Sequence, residues 1–455
     1  MPGFAPHRPL LPEILSLNAR WAGDRTALVA DGQRLSWAGF DDRVARAAAA
    51  FAADGVAPGD RVGLVMSNGA AMVEAIFGLM AAGACCVPIN LSVTDDSLTA
   101  MLADAGVTAL VATPDQADRC AGIAVSIRYC AGGGPADWVD WDERLAAADP
   151  AAARHLAPRP DDPCNIIYSS GTTGTPKGIM HTHQGRLDWA YDNALAFRYH
   201  ARCRSLCTIG LYSNIMWVQM LCTALCGGTL IVHTKFDAAA TLDAIRTDRV
   251  THLAMVPVQY QRLLDAGAGQ AAFEPLEVAI TVGSKMPVPL KRRLLELAPD
   301  RLYELYGLTE GIITVQDPPE AEAAPDCVGR PIVGCDILAI DDADRPVAPG
   351  QPGEIVSRAR YVMPGYWNRP DATADTQWAD DRGREWLRTG DIGVIDAAGR
   401  LSIVDRKKDM ILSGGQNIYP ADLEAVLLAH EAVQDAAVFS VPHETWGETP
   451  MAAVV

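Results

Sequence analysis

Apolar and polar positions along the chain switch repeatedly between two periods. Phe40, Val44, Ala47, Ala48 and Phe51 recur at helical spacing, with Gly55 as a stop. RVGLVM from Arg61 then reads as a buried strand, AAMVEAIFGLMAAG as a helix ending near Gly83, and ACCVPI as another strand. Alternation of this kind predicts βαβ units and sheets covered by helices. Strand and helix signals return in THLAMVPV, VPLKRRLLEL and RLYELYG. From about Val328 the texture changes to short strands separated by turns such as DDADRPVAPGQPG. After Asp405 charge concentrates in RKKDM, and ADLEAVLLAH followed by AAVFSV predicts a compact α+β piece. The fold class is therefore α/β: a large N-terminal domain of helix-flanked β-sheets with a strand-rich subdomain, then a small α+β C-terminal domain. The chain stops at MAAVV in the middle of a strand pattern, so the small domain is expected to be truncated and the natural product to continue.

Composition narrows the class. The 455 residues are 49% hydrophobic, enough apolar side chain to exclude disorder, and too long for one ordinary core. The net charge of −18 (38 basic, 56 acidic) argues against a broad nucleic-acid or anionic-membrane surface. The opening MPGFAPHRPLLPEIL lacks the charged region and apolar run expected of a secretory signal. Ser205–Thr234 lacks charge, but Asn214, Gln219 and Gly227-Gly228 interrupt it; a buried helix, a turn and the strand TLIV are expected rather than a membrane span. Eleven cysteines without a secreted-type framework point to a reducing cytoplasm. Cys203, Cys207, Cys222 and Cys226 form two C-x3-C pairs, read as buried small hydrophobes in preference to a zinc site. Cys130 to Pro163, rich in Ala, Pro, Gly and Asp, is expected to be a surface connection.

The chemistry concentrates in YSSGTTGTPKG, Tyr168 to Gly178, which follows the apolar NIIY. Ser169, Ser170, Thr172, Thr173 and Thr175 surround Gly171 and Gly174, with Lys177 close behind. Glycines admit an anion close to the backbone, hydroxyls and N–H groups wrap phosphate oxygens, and the lysine supplies charge. Only two residues separate Gly171 from Gly174, so this is not the nucleotide-triphosphatase loop.

Together with Tyr306-Gly-Leu-Thr-Glu310, Gly353-Glu354, Arg388-Thr-Gly-Asp391, Asp405-Arg-Lys-Lys-Asp409, SGGQNIYP and VPHETWGE, in that order, the chain resembles the adenylate-forming superfamily of acyl- and aryl-CoA synthetases. The resemblance implies two steps: a carboxylate attacks the α-phosphate of ATP to give acyl-adenylate and pyrophosphate, then a thiol displaces AMP. It implies ATP, Mg2+ and coenzyme A, with a small carboxylic acid as the remaining partner and no nucleic acid. Residues 169 to 177 would hold the β- and γ-phosphates, and Glu310, with Thr173, would hold Mg2+. Thr309 would meet the α-phosphate and Tyr306, followed by Gly307, would stack on adenine. Asp391 would accept from both ribose hydroxyls, and Arg406 would contact ribose or phosphate. Residues 406–409 would form a hinge centred on Lys408 between domains 1–405 and 410–455, and Gly414 and Gly415 would lie where CoA passes. Gly353-Glu354 reads as structural.

Two segments correspond to the family's acyl pocket: Tyr212, Ser213, Asn214 and Trp217, and Val282, Gly283 and Ser284. No Asp lies between Ile209 and Met220 to pair with an ammonium, so the acid is expected to be fatty or aromatic and not an amino acid. Lys285 could contact a carboxylate or face solvent, and His183 is expected to be structural. The family's adenylation lysine, near the end of the small domain, has no counterpart before Val455. The leading expectation is an acid-thiol ligase, compatible with a homo-oligomer. A loader of carrier-protein thiols and an acyl-adenylate binder without turnover stand as alternatives.

Overall fold

The computed structural model describes residues 7–169, 176–413, 416–430, 432–443 and 447–455. It is a mixed α/β chain that divides into two compact units, Met1–Glu304 with Arg360–Ala374, and Leu305–Ala359 with Asp375–Val455.

The first unit carries an eight-stranded sheet. Its centre is parallel: Arg61–Val65 lies between Cys85–Pro88 and Ala109–Ala112. These strands are buried along nearly their whole length, as expected where helices cover both faces. Helix Ala70–Ala82 ends as expected at Gly83, whose φ of 73° supplies the left-handed cap. At the sheet's other end Pro163–Tyr168 and Gly178–Thr182 form an antiparallel pair in which Tyr168 faces Gly178. Six further strands run in the order Val278–Val282, His252–Met255, Arg204–Cys207, Thr229–Val232, Thr26–Ala30 and Gln33–Ser36. All pair in parallel except the last two, which are antiparallel.

The uncharged stretch divides into Arg204–Cys207, helix Asn214–Cys226 and Thr229–Val232. No helix among the described residues is long and apolar enough to cross a membrane. Cys203, Cys207 and Cys222 are buried, and no cluster of three metal-ligating side chains occurs among the described residues. Burial pushes the Cys203 and Cys207 thiols up, which keeps them neutral. One expectation fails: 130–163 is not a plain connection. It contains helix Trp141–Ala147, whose Trp141 is fully buried against Phe51 and Tyr129. A single aromatic anchor outweighs the turn-forming composition around it.

The second unit is strand-rich from Val328 onward, as the texture predicts. Cys335–Ile340, Pro352–Ala359, Glu385–Ile395 and Gln377–Ala379 pair antiparallel in that order, and Leu401–Arg406 also pairs with Glu385–Ile395. Towards the C-terminus a four-stranded sheet includes Ala436–His443 and Gly447–Val454, accompanied by helix Pro420–Leu428.

Candidate active site

In the first unit the loop after Tyr168 is closed at its base: the Ser169 N–H donates to the Lys177 carbonyl, 3.1 Å away. The Lys177 ammonium lies 4.9 Å from the ring centre of Tyr366, a cation–π contact that holds the side chain without neutralising it. Ser170, Gly171, Thr172, Thr173, Gly174 and Thr175 lie outside the described residues.

The two acyl-pocket segments lie side by side. Ser213 immediately precedes helix Asn214–Cys226, and the Trp217 indole donates to the Leu211 carbonyl at 2.8 Å, folding the preceding turn against the helix. The Tyr212 ring lies over Gly210, where an added Cβ would stand 1.9 Å from it. Gly283 has φ of +93°, and a Cβ there would meet Ile215 Cδ1 at 3.3 Å, so Val282–Ser284 touches the start of that helix. Behind this second segment, Lys291 and Glu304 form a fully buried ion pair. The other Glu304 oxygen accepts the Met286 N–H at 3.0 Å. Lys285 is exposed. His183 is buried at the start of helix His183–Ala196, and burial pulls its pKa down to about 4, as a neutral structural histidine requires.

In the second unit three distant residues meet. Asp391 sits on Glu385–Ile395 directly across from Arg406 on the neighbouring strand. Arg406 Nε lies 2.8 Å from one carboxylate oxygen, and the Tyr306 hydroxyl donates to the other at 2.5 Å. Burial raises the Asp391 pKa, opposed by Tyr306 and by Arg406. Burial, reinforced by Asp391, pushes the Tyr306 hydroxyl well above its ordinary range. Tyr306 occupies one acceptor site, and the oxygen facing Arg406 accepts no hydrogen bond from the described residues, so acceptor capacity remains for a ligand's hydroxyls. Thr389 orients the turn, accepting the Asp391 N–H at 3.1 Å and donating to the Ile355 carbonyl at 2.7 Å.

Gly307 allows Leu302–Leu308 to approach Ile312–Gln316; a Cβ there would stand 2.5 Å from the Ile312 carbonyl oxygen. Thr309 and Glu310 occupy the intervening turn, half-buried. Glu310 thus places one carboxylate in this turn, an oxygen donor of the kind Mg2+ takes. Lys408 is exposed in the turn after Arg406, and Gly414 and Gly415 lie outside the described residues.

Three buried charged groups support these residues; the sequence marked Glu354 as structural without its partners and missed Lys291–Glu304 and Arg186. Buried Glu354 accepts from Arg388 Nη1 and Lys407 Nζ, both at 2.9 Å, and so ties together the strands that carry Asp391 and Arg406. Lys291–Glu304 is another, and Arg186, fully buried beside Asn214, is the third. Charge inside an apolar run (Arg186 beside Leu187, Trp189 and Ala190) was the available signal.

Residues 16–367 match the AMP-binding enzyme family, and residues 422–455 match its AMP-binding enzyme C-terminal domain. The chain belongs to this family of adenylate-forming enzymes. It is 36% identical to a feruloyl-CoA synthase of Amycolatopsis sp, over 96% of this chain and 87% of that protein. It is 32% identical to a 2-succinylbenzoate–CoA ligase of Geobacillus sp, over 98% and 87%. Among solved structures, the o-succinylbenzoate CoA synthetase of Bacillus subtilis in complex with its acyl-adenylate intermediate superposes with a TM-score of 0.85. That match has 28% identity and covers 97% of this chain and 88% of the other.

Proposed function

We propose that the protein is an AMP-forming acid-thiol ligase that converts a fatty or aromatic carboxylic acid to its CoA thioester. The observation that carries this reading is the match of nearly the whole chain to enzymes named as CoA ligases. In the first step a carboxylate oxygen of the acid bonds to the α-phosphorus of ATP and pyrophosphate leaves. In the second the CoA sulfur bonds to the acyl carbon and AMP leaves.

The acid provides its own nucleophile, so the protein's task is positioning and charge neutralisation. Lys177 and the hydroxyls of residues 169–175 would bind the β- and γ-phosphates, and Thr309 the α-phosphate. Glu310, with Thr173, would hold Mg2+, which when bound neutralises phosphate charge. Tyr306 would lie against adenine, with its ring direction set by its bond to Asp391. Asp391 would accept from the ribose hydroxyls, with Arg406 beside it. Asn214, Trp217 and Val282–Ser284 would line the acid's tail. Residues 406–409 would serve as a hinge between 1–405 and 410–455, and Gly414 and Gly415 would lie along the CoA path.

The test is acid-dependent pyrophosphate release and CoA-thioester formation by the complete protein, with a panel of fatty and aromatic acids. Thioester from at least one acid, strictly dependent on ATP, supports the reading; none from any acid refutes it.

A further inference from the structure

The guanidinium of Arg186 is fully buried and forms no ion pair with a carboxylate among the described residues. It is held between aromatic faces, 4.7 Å from the Trp217 ring centre and 5.2 Å from that of Trp189. Its Nε donates to Asn165 Oδ1 at 2.7 Å and its Nη1 to Asn214 Oδ1 at 2.8 Å, while Nη2 has no hydrogen-bond partner. Burial pulls its pKa down to about 10, which still leaves it charged at neutral pH.

This arrangement decides which way Asn214 faces. A guanidinium has only donors, so Asn214 must turn its carbonyl oxygen inward, and its NH2 group faces away from Arg186. Asn214 is half-buried at the first turn of its helix, and its Nδ2 donates to no described residue. The next residue, Ile215, adjoins Gly283 of the second acyl-pocket segment. Asn214 therefore presents a fixed two-proton donor away from Arg186, one residue along the helix from the point where the two segments touch. The buried cation behind it and the helix N-terminus beneath it both favour negative charge at that point.

We propose that Asn214, oriented by Arg186, is a specificity-determining donor that selects carboxylic acids whose tail carries an acceptor oxygen, a ketone carbonyl or a second carboxylate. The proposal rests on the ligase reading and narrows its substrate class. A purely hydrocarbon tail would strip water from this donor and return no acceptor, and sites built to hydrogen-bond a substrate discriminate strongly against analogues that lack the partner.

The experiment compares kcat/KM for CoA-thioester formation by the complete protein on three matched acids: a phenylalkanoic acid, its ring-acetyl derivative and its ring-carboxyl derivative. The wild type should favour at least one oxygenated acid by roughly tenfold or more. Asn214→Leu should abolish or reverse that preference with the KM for ATP unchanged. Asn214→Asp, of the same shape but acceptor-only, should penalise the ring-carboxyl acid most. Equal or better use of the plain acid by the wild type, or an unchanged ratio in Asn214→Leu, overturns the proposal and leaves the ligase reading intact. No thioester from any acid removes both.

Discussion

The Tyr306 hydroxyl donates to Asp391 across 85 positions of sequence, while Arg406 approaches the other carboxylate oxygen from the adjacent strand. The tyrosine thus orients the aspartate and is oriented by it. Tyr306→Phe keeps the ring and removes one charge-assisted bond, so the KM for ATP should rise about tenfold with a smaller loss in Tm. Steady-state kinetics at varied ATP check this. An unchanged KM would mean that the carboxylate is held without the hydroxyl.

Lys177 is half-buried and touches the Tyr366 ring, but it carries no part of the core. Lys177→Ala should lower kcat/KM for ATP by roughly 10²-fold, as expected for removal of one positioned donor at a phosphate. Thermal unfolding should shift little. A large Tm loss with normal turnover would assign the lysine to structure instead.

Lys291 and Glu304 are both buried, and Glu304 also holds the Met286 N–H. Lys291→Ala leaves an unpaired buried carboxylate and should cost about 3–5 kcal/mol in urea unfolding. The double variant Lys291→Met/Glu304→Leu should recover part of that loss. A loss in the double variant equal to or greater than that in Lys291→Ala would show that the charge is not the cause.

Burial lowers the pKa of His183 and of His252 to about 4 each from 6.5. Between those values the unfolded chain binds more protons than the folded one, so stability is full above pH 6.5 and falls as pH drops towards 4. Each histidine should contribute about 2 kcal/mol of loss by pH 5. Urea midpoints from pH 7.5 to 5 measure the slope. His252→Asn should flatten it, whatever its effect on absolute stability, and an identical slope would exclude this histidine as a cause.

Legibility differed by element. Helices Ala70–Ala82 and Val288–Leu297 follow directly from periodicity, because burial of one face or of all faces leaves its mark on every position. Trp141–Ala147 did not, since seven residues carry less than two turns of pattern and the surrounding Ala, Pro and Gly suggest a turn. The motifs named Asp391 and Tyr306 but not their bond to each other. Glu354 read as structural, yet its link to Arg388 and Lys407 could not be seen, because a carboxylate's partners depend on strand register.

By itself the sequence determined the class of chemistry, since a hydroxyl- and glycine-rich loop with its lysine, followed in order by the other motifs, is local information. It also determined the α/β character, because side-chain periodicity is imposed by the covalent backbone. Only the tertiary structure decided which way Asn214 presents its amide, and which oxygens of Asp391 are already engaged. Those depend on the directions of side chains brought together from distant positions, and hydrogen bonds are directional where composition is not.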